Sequence, residues 1–220
     1  MRTITVEGKG TSVRQPDWVE LKIRASVLKK EFEDSVNSMN EMVNDLKNSL
    51  QELGFDRDDL KTVDFDIYQK YNSVEKGIIN KEHSSKFKGF EIRHRLRLEF
   101  DFDNEKISEV LDCLTDYKEY MSFDMKFTVK DKEDMIREVL EDATRDARFK
   151  AEILAESSSV KLGNLMTIGS YAKSYNFVSY TDFETEDYCC GLGSLFGGSN
   201  ITHKEIEISD KINFIWEIKD

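Results

Sequence analysis

A chain of 220 residues with 39% hydrophobic and 35% charged side chains is long enough to bury a sizeable core, and it contains no apolar run near the roughly 20 residues of a membrane span. Its net charge of -12 argues against a large sequence-independent contribution from nucleic-acid phosphates, which needs clustered Lys and Arg. This acidic protein is therefore expected to bind no nucleic acid and to have no membrane span. The three cysteines, Cys113 and the adjacent Cys189-Cys190, form no disulfide framework and fit a reducing compartment. No basic segment followed by an apolar one opens the chain, so the expected location is cytoplasmic.

Residues 2 to 9 alternate, with Ile4 and Val6 on one face, and predict a strand ending at Gly8-Lys9-Gly10, where the glycines point to a bulge or a close backbone approach. After Pro16, Val19, Leu21, Ile23, Ala25 and Val27 alternate with polar residues and predict a half-buried strand. A helix is expected from about Glu31 to Leu53, with Phe32, Val36, Met39, Val43, Leu46, Leu50 and Leu53 inward and Gly54 just past its end. The period then returns to two at Val63, Phe65 and Ile67, and again from Phe90 to Phe102, so these strands should form a long hairpin. A turn centred near Ile79-Asn80 puts Asp64 opposite Arg95, Asp66 opposite Arg93 and Phe65 opposite His94. The arginines then face acids without any ligand.

A short helix capped by Asp103 or Asn104 turns Ile107, Val110, Leu111 and Leu114 inward, and a strand follows with Phe123, Met125, Phe127 and Val129 on one face. The longest helix runs from Asp131 to Ser158. Asp131 is its expected N-cap, and Ile136, Val139, Leu140, Ala143, Ala147, Ala151, Leu154 and Ala155 define its buried stripe. Four alanines at i+4 spacing make that stripe narrow, so a neighbouring element can approach the backbone closely. Strands are expected at Leu165 to Ser174 and at Glu205 to Lys219, the latter with Ile206, Ile208, Ile212, Phe214, Trp216 and Ile218 on one face. The expected fold class is α+β, a doubled βαββ-like plan with long β-hairpins packed against two long helices. Its pseudo-repeated halves are about 17–103 and 122–220.

These residues together resemble the SIMPL-domain family, a domain of unknown function found in bacterial envelope proteins and an animal signalling adaptor. The resemblance is carried by Ile4-x-Val6-x-Gly8-x-Gly10 with Pro16-Asp17, then Asn37, Gly54, Thr62, Phe65, Tyr71 and Gly89-Phe90. Its most specific part is Ala143-x-x-x-Ala147-Arg148-x-Lys150-Ala151-Glu152-x-Leu154-Ala155, followed by Leu162-Gly163. It covers nearly the whole chain, so residues 1–220 are read as a single SIMPL-like domain. The resemblance implies a βαββ-type fold and a tendency to self-assemble, and it supplies no catalytic site.

No residue pattern points to an enzyme, and no catalytic, cofactor-binding or metal site is assigned. The histidines His83, His94 and His203 belong to no H-E-x-x-H, and C-x-x-C and G-x-S-x-G are missing. His94 reads as a core histidine and His83 as part of a hairpin loop. The glycine-rich run 191–198 lacks the lysine and Ser/Thr of a phosphate-binding loop. The irregular segment 175–200 is more apolar than a solvated loop requires. Its Phe177, Tyr180, Phe183, Tyr188, Leu195 and Phe196 make it a candidate interaction arm, with a hairpin tip as the plainer reading. Cys189-Cys190 with His203 is too small a ligand set for a metal. The resulting expectation is a non-enzymatic, self-assembling scaffold or protein-interaction module: a homo-oligomer, with a protein partner as a further possibility. The alternative is a small-molecule binder or enzyme with a cleft between the two halves.

Overall fold

The computed structural model describes residues 2–76, 82–169, 173–179 and 203–219. In chain order its elements are β1 (Thr3–Arg14), β2 (Trp18–Lys29), α1 (Phe32–Glu52), β3 (Lys61–Lys76), β4 (Glu82–Asp101), α2 (Asn104–Thr115), β5 (Met121–Thr128), α3 (Lys132–Ser157), β6 (Lys161–Gly169) and β7 (Ile206–Lys219). The fold is α+β, with sheets ordered β1-β7-β6 and β3-β4-β2-β5. Strand, helix, strand, strand recurs in chain order, but the sheets are not two such halves: β5 joins the sheet of β2, and β1 pairs with β7. Periodicity reports the type of an element and carries no information on its distant partner. The chain divides into two compact units, one of Met1–Asp17, Phe127–Thr181 and His203–Asp220, the other built on Trp18–Lys126.

In the first unit α3 packs on β1 and β7. Asp131 caps it, its Oδ1 accepting from Asp134 N at 2.9 Å. The buried row is Met135, Val139, Ala143, Ala147, Ala151 and Ala155, a strict four-residue step. Such a row is inclined by roughly 26° to the helix axis. This corrects the expected stripe: Met135 heads the buried row with Ile136 partly buried against the same core, and Leu140 and Leu154 are exposed.

β1 does not end at its glycines. It continues to Arg14 in unbroken register with β7, from Thr3↔Glu217 to Arg14↔Ile206. Gly8 and Gly10 instead make room for the helix. A Cβ on Gly8 would lie 2.7 Å from Ala147 Cβ, and one on Gly10 2.7 Å from Ala143 N, each closer still to a helix carbonyl. The expected close approach is thus strand to helix, through glycine on one side and alanine on the other.

The outer edge of β1 is covered by four acids one helical turn apart. Asp146 Oδ2 accepts from Lys9 N at 2.7 Å, Asp142 Oδ2 from Thr11 N at 3.1 Å, and Glu138 Oε2 from Ser12 Oγ at 2.6 Å. Arg14 then binds Asp134 and Glu138. An edge strand's free N–H groups are thereby satisfied by side chains.

Donors hold Asp134, Glu138 and Asp146 below their ordinary values: Arg14 for Asp134, Ser12 and then Arg14 for Glu138, Lys150 and then Lys9 N for Asp146. Because the folded values are depressed, the stabilisation is present above the ordinary carboxylate range and is lost as pH falls through the lower folded values. Thermal melts should therefore show a Tm that drops steeply below about pH 4. Arg14→Gln should flatten that acid limb, and an unchanged slope would remove Arg14 from the account.

β7 turns Ile206, Ile208, Ile212, Phe214 and Trp216 into the core, as expected, but Asp210 occupies the inward place between them. Tyr175 Oη donates to Asp210 Oδ2 at 2.6 Å, and Lys173 Nζ lies 3.6 Å from Oδ1. Burial and then Asp210 push the Tyr175 hydroxyl up to about 12. Burial alone would raise Asp210, yet bonds from Tyr175 and Lys211 N and the Lys173 charge leave it lowered. β6 spans Lys161–Gly169 and not the expected 165–174, and its register with β7 shifts twice.

In the second unit β2 buries Val19, Leu21, Ile23, Ala25 and Val27 and pairs with β4 from Trp18↔Asp101 to Lys29↔Phe90. α1 covers this pair with Met39, Val43, Leu46 and Leu50, and Gly54 ends it at φ 87°. Phe32, assigned to the buried face, is exposed, and Ser35 is buried in its stead. Ser35 Oγ accepts from Lys29 N at 3.1 Å and donates to Phe90 O at 2.9 Å. Asp103, of the two expected caps, serves α2, accepting from Glu105 N and Lys106 N. The expected β5 face is only partly buried: Phe127 and Val129 are inside, whereas Phe123 and Met125 are half-exposed.

Candidate interaction surface

The hairpin register is as expected: Asp64↔Arg95, Phe65↔His94 and Asp66↔Arg93. β4 starts at Glu82, so His83 belongs to a strand and not to a loop; the expected turn at 79–80 lies outside the described residues. Strands lie about 4.8 Å apart and a helix is about 10 Å across, so one helix covers two strands. α1 packs on β2 and β4, and among the described residues no helix packs comparably on the same face of β3.

The sequence supplies large apolar residues there. Phe65, Ile67 and Tyr71 of β3, Phe87 of β4 and Phe32 of α1 are each between 42% and 52% exposed. The rings meet edge to face in a chain, with centroids 5.6 Å apart for Phe32–Phe90, 5.3 Å for Phe90–Phe87 and 5.5 Å for Phe87–Tyr71. Contiguous aromatic surface of this kind favours association. At its upper end His94 meets the Phe65 ring at 5.1 Å and lies 2.9 Å from Thr62 Oγ1 through Nε2. Burial, then the Lys47 charge, lowers its pKa, so the ring is neutral at pH 7.

The opposite face is polar and compensated. Arg95 binds Asp64 and lies 3.5 Å from Asp66; Arg93 pairs with Glu91 at 2.9 Å and stacks on Tyr68; Arg97 lies 3.7 Å from Glu99. Register therefore set Asp66 opposite Arg93, but its ionic partner is Arg95. Lys70 also reaches Glu91, at 3.3 Å. These arginines have carboxylate partners and do not form an uncompensated cationic pocket.

Of the six predicted arm residues, Phe177 packs beside Tyr175 on the core of Val129, Met135, Val139, Ile206 and Ile208 in the first unit. Tyr180, Phe183, Tyr188, Leu195 and Phe196 lie outside the described residues, as do Cys189 and Cys190. His203 is buried against the Phe127 ring, and burial lowers its pKa. Burial raises the Cys113 thiol, which keeps it protonated and poorly nucleophilic. Among the described residues no group of three or more His, Cys, Asp or Glu could hold a metal ion, and no helix is long and apolar enough to cross a membrane. A concavity lined by Ile136, Leu140, Thr144, Arg145 and Arg148 is formed by α3 alone and is a helix surface, not an enclosed site. Reasoning from periodicity missed the hairpin surface because alternation marks a face without saying whether a helix reaches it.

The model of the family described as SIMPL, protein of unknown function (DUF541), matches residues 4–213. The chain belongs to the SIMPL family. No curated protein matches it. The match to this SIMPL chain includes β1 with its two glycines, the alanine row of α3 and the β3–β4 hairpin, so the interior contacts and the exposed aromatic face both fall within the family domain. Family membership fixes no activity, because the family itself has none assigned.

Proposed function

We propose that this SIMPL protein is a non-enzymatic interaction module that assembles with copies of itself in the cytoplasm through the aromatic face of its β3–β4 hairpin. The observation that carries this reading is the ring chain from Phe32 to Tyr71, left exposed where α1 stops short of β3. The hairpin is favoured over the 175–200 arm because Phe177 is engaged within its own unit. The acid partners of Arg93, Arg95 and Arg97 weigh against a ligand held by that strand. Three cysteines without a framework support a reducing compartment.

Light scattering after size exclusion, across a concentration series, tests the reading. The expected result is a discrete multimer of the 25.6 kDa chain that persists on dilution, shifted to the monomer mass by Ile67→Asp or Tyr71→Asp. Both substitutions lie on exposed surface, so circular dichroism should be unchanged. A wild-type monomer at every concentration would overturn the proposal.

A further inference from the structure

Two sheets have four outer strands, and three of them have their edges covered or broken. α3 carboxylates occupy the edge of β1, β6 is interrupted by two register shifts, and β5 has only eight residues, with Phe127 near its end already bridged to Ser179. β3 differs. It has 16 residues, and it is outermost in its sheet. Between its two register shifts with β4, at Thr62/Asp64 and Lys70/Tyr71, it keeps seven consecutive residues, Asp64 to Lys70, in regular pairing, whereas the shifts in β6 fall within four residues of each other. Among the described residues no segment pairs with its outer edge. A long regular edge bearing unpaired N–H and C=O groups is a template for another strand.

The sequence of β3 selects what that strand is. Pairing β3 antiparallel with its own copy keeps like faces together only when the two-fold axis passes through a residue, and each choice of residue fixes all the cross-strand partners. An axis at Asp66 sets that carboxylate against itself. At Ile67 it sets Asp64 opposite Lys70 but Phe65 opposite Gln69. At Tyr68 Asp66 falls opposite Lys70 twice on the polar face, and on the apolar face Phe65 falls opposite Tyr71 twice, with only Ile67 set against Gln69, so this register keeps both the charge pairs and the aromatic pairs. Opposite charges and aromatic pairs directly across a ladder are favourable, and like charges there are not.

We propose that two copies of this chain join their sheets edge to edge through antiparallel β3–β3 pairing centred on Tyr68. This inference rests on the self-association proposed above and adds to it the strand, the symmetry and the register. The joined sheet has the order β5-β2-β4-β3-β3-β4-β2-β5, and the two exposed aromatic faces become neighbours on one side of it. Phe65, Ile67 and Tyr71 then pack across the junction, and the edge groups of β3 gain partners.

Cysteine cross-linking reads the register directly. On the axis, residue 68 faces its own copy at about 4.5 or 5.5 Å between Cα atoms, within disulfide range; residue 67 faces residue 69 and lies roughly 8 Å from its own copy, out of range. With Cys113, Cys189 and Cys190 replaced by serine, Tyr68→Cys should run as a covalent dimer after mild oxidation and Ile67→Cys as a monomer. Light scattering on the same samples before oxidation separates the two levels of the claim. An oligomer in which Tyr68→Cys does not cross-link, or in which Ile67→Cys cross-links instead, overturns this register and leaves self-association standing. A monomeric sample overturns both.

Discussion

Gly10→Ala should lower the unfolding free energy by about 3 kcal/mol or more, as read by urea denaturation, and Gly8→Ala should do the same. The added methyl group meets backbone: Val139 O and Ala143 N at position 10, Ala143 O and Ala147 Cβ at position 8. A flexible side chain could swing away from such a contact, but a helix backbone held by six buried side chains along its length cannot. Relief requires α3 to lift off β1. That movement opens a gap over Val6, Phe214 and Trp216 and stretches the bonds from Lys9 N and Thr11 N to the helix acids. Gly169→Ala is the control, because its new Cβ would lie 3.7 Å from Asn213 O, an ordinary contact. That change should be near neutral or stabilise by less than about 1 kcal/mol through the unfolded chain. If Gly10→Ala unfolded like wild type, α3 and β1 would not be in van der Waals contact.

Ser35→Ala is expected to destabilise the second unit by about 1–3 kcal/mol. The hydroxyl is fully buried, and it joins three elements: it sits on α1, accepts from Lys29 N at the end of β2 and donates to Phe90 O on β4. Alanine fits the space but removes the hydroxyl that serves the part-buried Lys29 N and Phe90 O, and a polar group that loses its partner away from bulk water costs more than the net worth of the bond that satisfied it. The place of the damage can be checked independently. Amide exchange at Lys29 should quicken in the variant while exchange in α3 stays the same, and a uniform change across both would show that Ser35 acts elsewhere.

Much of the fold was legible in the residues. The hairpin register followed from parity and charge, since a shift by one residue would have put Phe65 among arginines and Asp64 among apolar side chains. The ends of α1 and α3 followed from Gly54 and Asp131, because a positive φ and an unpaired helix N–H are local demands met by local residues. Errors came where a partner decides the outcome. Leu140 and Leu154 are as apolar as Val139, and only the direction in which β1 crosses α3 puts the row through Met135 and the alanines in the core. The same crossing gives Glu138, Asp142 and Asp146 their work on the edge of β1; their i+4 spacing was the available signal.

The sequence by itself determined the family, the α+β class, the alternation of β1, β2, β4 and β7, and the hairpin register, and it marked the glycines of β1 and the alanines of α3 as separate points of close approach. These rest on periods of two and 3.6 residues and on local backbone requirements. Only the tertiary structure decided that β1 closes on β7 and β5 on β2, because strand partnership depends on long-range pairing that no short window contains. It also decided which apolar face stays open. Phe65 and Ile67 alternate as regularly as Ile23 and Ala25, yet α1 spans β2 and β4 and ends its reach there, so the first pair faces water and the second the core.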